Sequence, residues 1–203
     1  MVKCNILIAV ILITSFDCKA QSPIMPLDTY IHNTPEGGYI KDLDNELDKF
    51  VGTWIYTNGL TTLTFELQKL ELFYDGEHYE DILIGEYKYV ENGIEIVNLL
   101  PLLDEGSGVI AHGHKISGRQ IIPKDRYVAC NDCDDNERRL RLSFYDPERS
   151  YLSTSVVLRY LLDETNPEKM TATVNDDYSV ILPSEDSPTN LRVPFGEYTM
   201  VKQ

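Results

Sequence analysis

From Gly52 onward, apolar and polar residues alternate with a period of two through most of the chain. Leu63, Phe65 and Leu67 alternate with Thr62, Thr64 and Glu66, the pattern of a strand with one face buried. Past Lys69 the apolar residues fall on Leu70 and Leu72, so the parity switches and a bulge or bend is expected near Lys69. The runs Tyr87–Val90 and Ile94–Val97 flank Asn92-Gly93, a pair that tolerates positive φ and so signals a hairpin. Leu140, Leu142 and Phe144 share a face before a turn at Asp146-Pro147. A longer strand follows, with Leu152, Thr154, Val156, Leu158, Tyr160 and Leu162 on one side, and Asn166-Pro167 breaks it. Met170, Ala172 and Val174 repeat the scheme, and Tyr178–Leu182 and Tyr198–Val201 supply late strands.

The chain ahead of Gly52 reads differently. Leu43, Leu47 and Phe50 are spaced four and three apart, which predicts one short amphipathic helix over 42–50, capped by Asp42 or Asp44. Residues 21–41 carry Pro23, Pro26, Pro35 and Gly37-Gly38 and predict an extended leader. No repeat, second helical block or linker divides residues 42–203. The expected architecture is all-β: one antiparallel sandwich or barrel with a short N-terminal helix.

Residues 1–20 read as a signal peptide. Lys3 precedes the apolar run Ile6–Ile13, which is too short to span a bilayer, and Cys18 and Ala20 set small side chains before a cut at Gln21. Export to the periplasm or the medium follows. A second exported reading lipidates Cys18 and anchors the domain to a membrane, although the preceding Asp17 is charged where a small residue is usual. The formal net charge is −15, and removal of residues 1–20 takes away two lysines and one aspartate, leaving the remainder slightly more acidic. Such a surface repels phosphate backbones and anionic bilayers, so nucleic acid is not an expected partner.

Candidate chemistry is sparse. Cys130-Asn131-Asp132-Cys133 holds the only cysteines after Cys18, and an oxidising compartment would join them in a disulfide across a tight turn. Asp132, Asp134, Asp135 and Glu137 would raise a thiol pKa there, which argues against a redox dithiol. His112-Gly113-His114 could supply the second half of a metal site with those cysteines, but nothing in the spacing joins them, and solvent-facing histidines are the simpler expectation. His32 and His78 are isolated. Nucleophile elbows, phosphate loops and zinc-protease motifs are absent from the sequence. No catalytic residue, cofactor or metal is therefore expected.

Asp48-Lys49-Phe50-Val51-Gly52-Thr53-Trp54 resembles the opening of lipocalin-like, or calycin, barrels. In that resemblance Gly52 lets the chain turn into the barrel floor, and Trp54 packs across the closed end. It implies an arginine from a late strand against the tryptophan, with Arg159 and Arg192 as candidates. The stretches 45–67 and 81–89 are similar to a family of small exported bacterial proteins of unknown function. The resemblance implies a barrel and an exported life, but no activity. Tyr74, Tyr79, Tyr87 and Tyr89 are candidates to line a barrel mouth, or equally to sit at the wet margin of a core. Two functions follow. One is an exported binding module holding a small apolar or amphipathic ligand in the barrel. The other is an envelope or secreted interaction module with a filled core, whose partner is another protein. The large residues assigned inward favour filling.

Overall fold

The structure, a computed structural model, describes residues 22–104, 113–180 and 182–203. The expected signal peptide with Cys18, and also His112, lie outside the described residues. The described strands are β1 (Ile24–Pro26), β2 (Tyr39–Lys41), β3 (Gly52–Asn58), β4 (Thr61–Tyr74), β5 (Tyr79–Glu91) and β6 (Ile94–Asn98). A four-residue helix α1 (Pro101–Asp104) comes next. The remaining strands are β7 (Ile116–Ile122), β8 (Arg139–Phe144), β9 (Leu152–Thr165), β10 (Glu168–Val180) and β11 (Gly196–Lys202).

Among the described residues, eight of these strands close an antiparallel barrel in the order β5-β4-β3-β11-β10-β9-β8-β7, with β7 returning to β5. The alternation seen in the sequence becomes inside and outside. Leu63, Phe65 and Leu67 on β4, Leu140, Leu142 and Phe144 on β8, Val156 and Leu158 on β9, and Met170, Ala172 and Val174 on β10 are all buried in one cluster. Each large apolar side chain so buried contributes roughly 1.5–3 kcal/mol. The face does not run the full length of β9 and β10: Leu162 is 75 % exposed and Tyr178 is 91 % exposed. The expected separate strand at Tyr178–Leu182 is in part the tail of β10, and Asn92-Gly93 makes the β5–β6 turn with both residues at positive φ.

Trp54 closes one end and has no exposed surface. Its indole Nε1 donates to the Phe50 carbonyl at 2.8 Å, and the Tyr160 ring meets both Trp54 and Phe50 edge-on. Gly52, at φ +121°, makes the turn into β3, and a Cβ there would lie 3.3 Å from Lys202. The expected helix over 42–50 is not formed. A single 3-10 turn, Asp48–Phe50, takes its place, and the only described α-helix is α1, after β6. Nine residues make a weak helix in isolation, Asn45 sits at φ +55°, and Asp42 accepts the N–H groups of Glu46 and Leu47 at 2.7 and 3.0 Å. Leu47 and Phe50 still face inward, whereas Leu43 is exposed.

The other end is covered by the chain leading into β11, which buries Leu191 and Val193. The buried Asp146 carboxylate fixes that cover, accepting from Arg192 Nη2 at 2.6 Å and from the Arg192 backbone N–H at 3.1 Å. Burial alone would raise the Asp146 pKa, but these bonds hold it below the usual carboxylate range. Beyond its last β3 partner, Leu67, β4 continues to Tyr74 as a hairpin with β5. The parity switch lies here as a register shift between Leu70 and Phe73, with Leu72 at φ +55°. Residues 24–41 add β1 and β2 to the end of this hairpin by parallel pairing.

Candidate functional site

The four tyrosines do not meet at a rim. Tyr87 has no exposed surface; its ring stacks on Phe144 at 4.6 Å and its hydroxyl donates to the Tyr145 carbonyl. Tyr89 is also buried and donates to Glu91 at 3.4 Å. Tyr74 and Tyr79 pair with each other at 4.9 Å, out on the β4–β5 extension. Parity could not separate them, because Tyr87 and Tyr89 face inward on a closed barrel while Tyr74 and Tyr79 lie where the wall has left it. The lumen that a ligand would need holds Trp54, Phe65, Tyr87, Phe144, Met170 and Met200.

The cation over Trp54 is neither Arg159 nor Arg192. Lys202 of β11, directly across from Trp54, sets its Nζ 5.4 Å from the ring and pairs with Glu168 at 2.5 Å. Arg192 belongs to the opposite end, with Asp146. Arg159 lies on the outer wall and binds Glu137 at 2.6 Å and Asp132 at 2.7 Å. It thereby ties down the loop between β7 and β8. Cys130 and Cys133 are disulfide-bonded in that loop. Arg139 is 3 % exposed and points one Nη2 at the carbonyls of Pro123, Lys124, Arg126 and Val128, at 2.7 to 3.4 Å. A buried guanidinium gathering carbonyls at the start of β8 carries no sequence signature, since Arg138, Arg139 and Arg141 read alike.

Two clefts of about 400 Å³ each lie outside the barrel wall. One sits beneath the disulfide loop, against Val157, Arg159 and Thr171. The other lies at the barrel seam and is the better candidate site. β5 and β7 pair through only three residues each, Leu83–Gly85 with Ile116–Gly118. Before Leu83, β5 turns to β2; after Gly118, β7 bulges and follows β8. The strands therefore part, and residues 27–34 cross the gap as a strap. Arg119 holds the strap by donating to the carbonyls of Leu27 and Thr29 at 3.0 and 3.2 Å, and it pairs with Glu80 at 2.5 Å. Arg138 adds a bond to Asp28 at 3.1 Å. The cleft between strap and wall is lined by Leu27, Ile31, Ile82 and Ile121 on the apolar side, with Ser117, Gln120 and Tyr30 among its polar groups.

A buried acid–imidazole pair lies on the outer face of β5. Glu86 is 1 % exposed and its Oε1 lies 3.1 Å from His114 Nδ1, while Oε2 has no hydrogen-bond partner among the described residues. Burial pushes the Glu86 pKa up to about 7, against the opposing pull of the Lys115 N–H and charge. Burial, then the Lys115 charge, lowers that of His114. The expectation of a solvent-facing histidine is thus corrected at His114, because β7 pairs with β5 just beyond it and brings it onto Glu86. His78, isolated in the sequence, is also buried and bonds the Thr34 carbonyl at 3.0 Å. Among the described residues, no group of three or more His, Cys, Asp or Glu is placed to hold a metal ion.

These features define a class: a small antiparallel up-and-down barrel, filled inside, with a strapped cleft where its wall divides. That architecture is consistent with a lipocalin-like fold. The chain belongs to a protein family of unknown function, DUF6705, whose model matches residues 1–203. No curated protein and no solved structure matches it.

Proposed function

We propose that the protein is an exported binding module whose ligand site is the seam cleft on the outer wall, not the barrel lumen. One observation carries this reading. The barrel is filled from the Trp54 end to the Leu191–Val193 cover, while the parting of β5 and β7 leaves about 400 Å³ outside it. That volume lies in the range of small-molecule sites, and a few polar groups set into apolar walls give such sites orientation as well as affinity. Export rests on the leader at residues 1–20, and N-terminal sequencing of the protein recovered outside the cytoplasm should begin at Gln21. A chain beginning at Met1 contradicts export; a lipidated Cys18 selects the anchored form. Native mass spectrometry tests the binding reading. A ligand that co-purifies with the protein should be lost from Ser117→Trp, which fills the cleft, and retained by Leu142→Ala, which enlarges the lumen.

A protein-interaction role is favoured by a different observation. Leu60 and Ile94 are 72 % and 66 % exposed on adjoining hairpins, joined by a bond from the Gly93 N–H to the Leu60 carbonyl. Loss of a pulled-down protein partner on Leu60→Ser, with the seam cleft intact, would select that role.

A further inference from the structure

We infer that the seam cleft takes a small amphiphile with a carboxylate head, seated with its apolar body against the cleft's isoleucines and its head on Arg126. The inference rests on the cleft being the ligand site. Both carboxylates lining the cleft are already engaged, Glu80 by Arg119 at 2.5 Å and Asp28 at 3.1 Å by Arg138, which also binds Glu46 at 2.6 Å. On the same wall, Arg141 is matched by Asp177 and Arg159 by Glu137, while Arg139, without an ion pair among the described residues, is buried and spent on backbone carbonyls. Arg126 differs. Among the described residues it has no carboxylate partner, and its Nη1 donates to the phenol oxygen of Tyr30, a cleft-lining residue, at 2.9 Å. In a chain of net charge −15, a guanidinium left without an anion beside an apolar cleft is complementary to an anionic group.

Arg126 is also held in place. Its guanidinium lies 5.2 Å from the centre of the Tyr127 ring, and the Arg141 guanidinium lies 4.3 Å from the same ring. The Tyr127 hydroxyl accepts from Gln120, another lining residue, at 3.3 Å. Tyr127 adopts φ +65°, a costly conformation for a bulky side chain that surrounding contacts must maintain. Arg139 supplies such contacts, gathering the carbonyls on both sides of it, and the Cys130–Cys133 disulfide fixes the turn that follows. The loop so built presents one oriented cation at the cleft. A carboxylate could receive two parallel N–H bonds from it, while Leu27, Ile31, Ile82 and Ile121 bury a short chain or ring.

The test uses the purified protein and three probes of equal length: decanoate, decanol and decylamine, followed by isothermal titration at constant ionic strength. Decanoate should bind at least tenfold more tightly than the other two. Arg126→Gln should remove that preference while leaving decanol affinity unchanged, and Ser117→Trp should weaken all three. An unchanged thermal midpoint for Arg126→Gln would show that the change is at the head-group contact and not in the fold. Equal affinity for decanoate and decanol, or a preference that survives Arg126→Gln, overturns the head-group assignment and leaves the cleft standing. Binding of all three that is indifferent to Ser117→Trp overturns the cleft itself.

Discussion

Trp54 shows how much one side chain can carry when several elements converge on it. It is fully buried, hydrogen-bonded to Phe50, met by Tyr160 and overlain by Lys202. Trp54→Ala should cost about 3–5 kcal/mol in chemical denaturation, through lost burial and the cavity left behind. As the chain's single tryptophan it should also emit at short wavelength until the barrel opens. Glu86 makes a different prediction at the same scale. Its folded pKa, about 7, lies above its ordinary 4.5, so the folded state keeps the proton longer than the unfolded chain does. Its contribution is therefore complete below about pH 4.5 and is lost as pH rises through about 7. His114, with its pKa depressed from 6.5, acts in the opposite sense, losing stability as pH falls below that value. Glu86→Gln should match the parent near pH 4 and exceed it by roughly 1–2 kcal/mol near pH 8, after discount for screening. A pH-independent difference would mean that the carboxyl group titrates alike in the folded and unfolded chain. Tyr87 and Tyr89 make the same point: the sequence offers them equally for a barrel mouth or for the wet margin of a core, and closure of the wall makes them core.

Among the elements, the disulfide loop and the strap depend most on contacts the local sequence does not announce. The bridge closes a ring of four residues, so its loss should cost no more than about 2 kcal/mol of unfolded-state entropy. Cys130→Ser with Cys133→Ser should leave the barrel's amide exchange unchanged and raise exchange within residues 124–137. Arg139→Met should cost more, about 2–4 kcal/mol, because it orphans carbonyls that its guanidinium now satisfies. If the two variants were equally stable, Arg139 would contribute no more to the loop than the bridge does. The segment 42–50 is instructive for the same reason. Its apolar spacing is helical and correctly marks Leu47 and Phe50 as buried. The spacing does not reveal that Asp42 diverts two N–H groups and that Lys69 Nζ meets Asp42 at 3.0 Å, contacts that stabilise a tighter, irregular turn.

At the scale of the whole molecule, the barrel is held shut at two ends by unlike means, an aromatic floor at Trp54 and an ion-paired cover at Asp146. Asp146→Asn should cost about 2–3 kcal/mol, because it takes the buried carboxylate from the Arg192 guanidinium and leaves it only the exposed Glu148, at 2.8 Å. The wild-type contribution is present above the ordinary carboxylate range and is lost as pH falls through the lowered Asp146 pKa, so the gap between the two proteins should close in acid. An equal gap at pH 3 and pH 7 would assign the cost to packing alone. The period-two pattern determined that the chain is all-β, which face of each strand turns inward where the barrel is closed, where the β5–β6 hairpin turns and that β4 must change parity, because a strand's two faces meet different solvents over every pair of residues. The cleft was decided by tertiary structure. Its parts are Leu27 and Tyr30 on the strap, Ile82 on β5, Gln120 on β7 and Arg126 on the loop, and each is unremarkable among its neighbours in sequence. They become a site because closure of the barrel leaves β5 and β7 paired over only three residues, and the register of a closing seam depends on the lengths, bulges and twist of all the strands together.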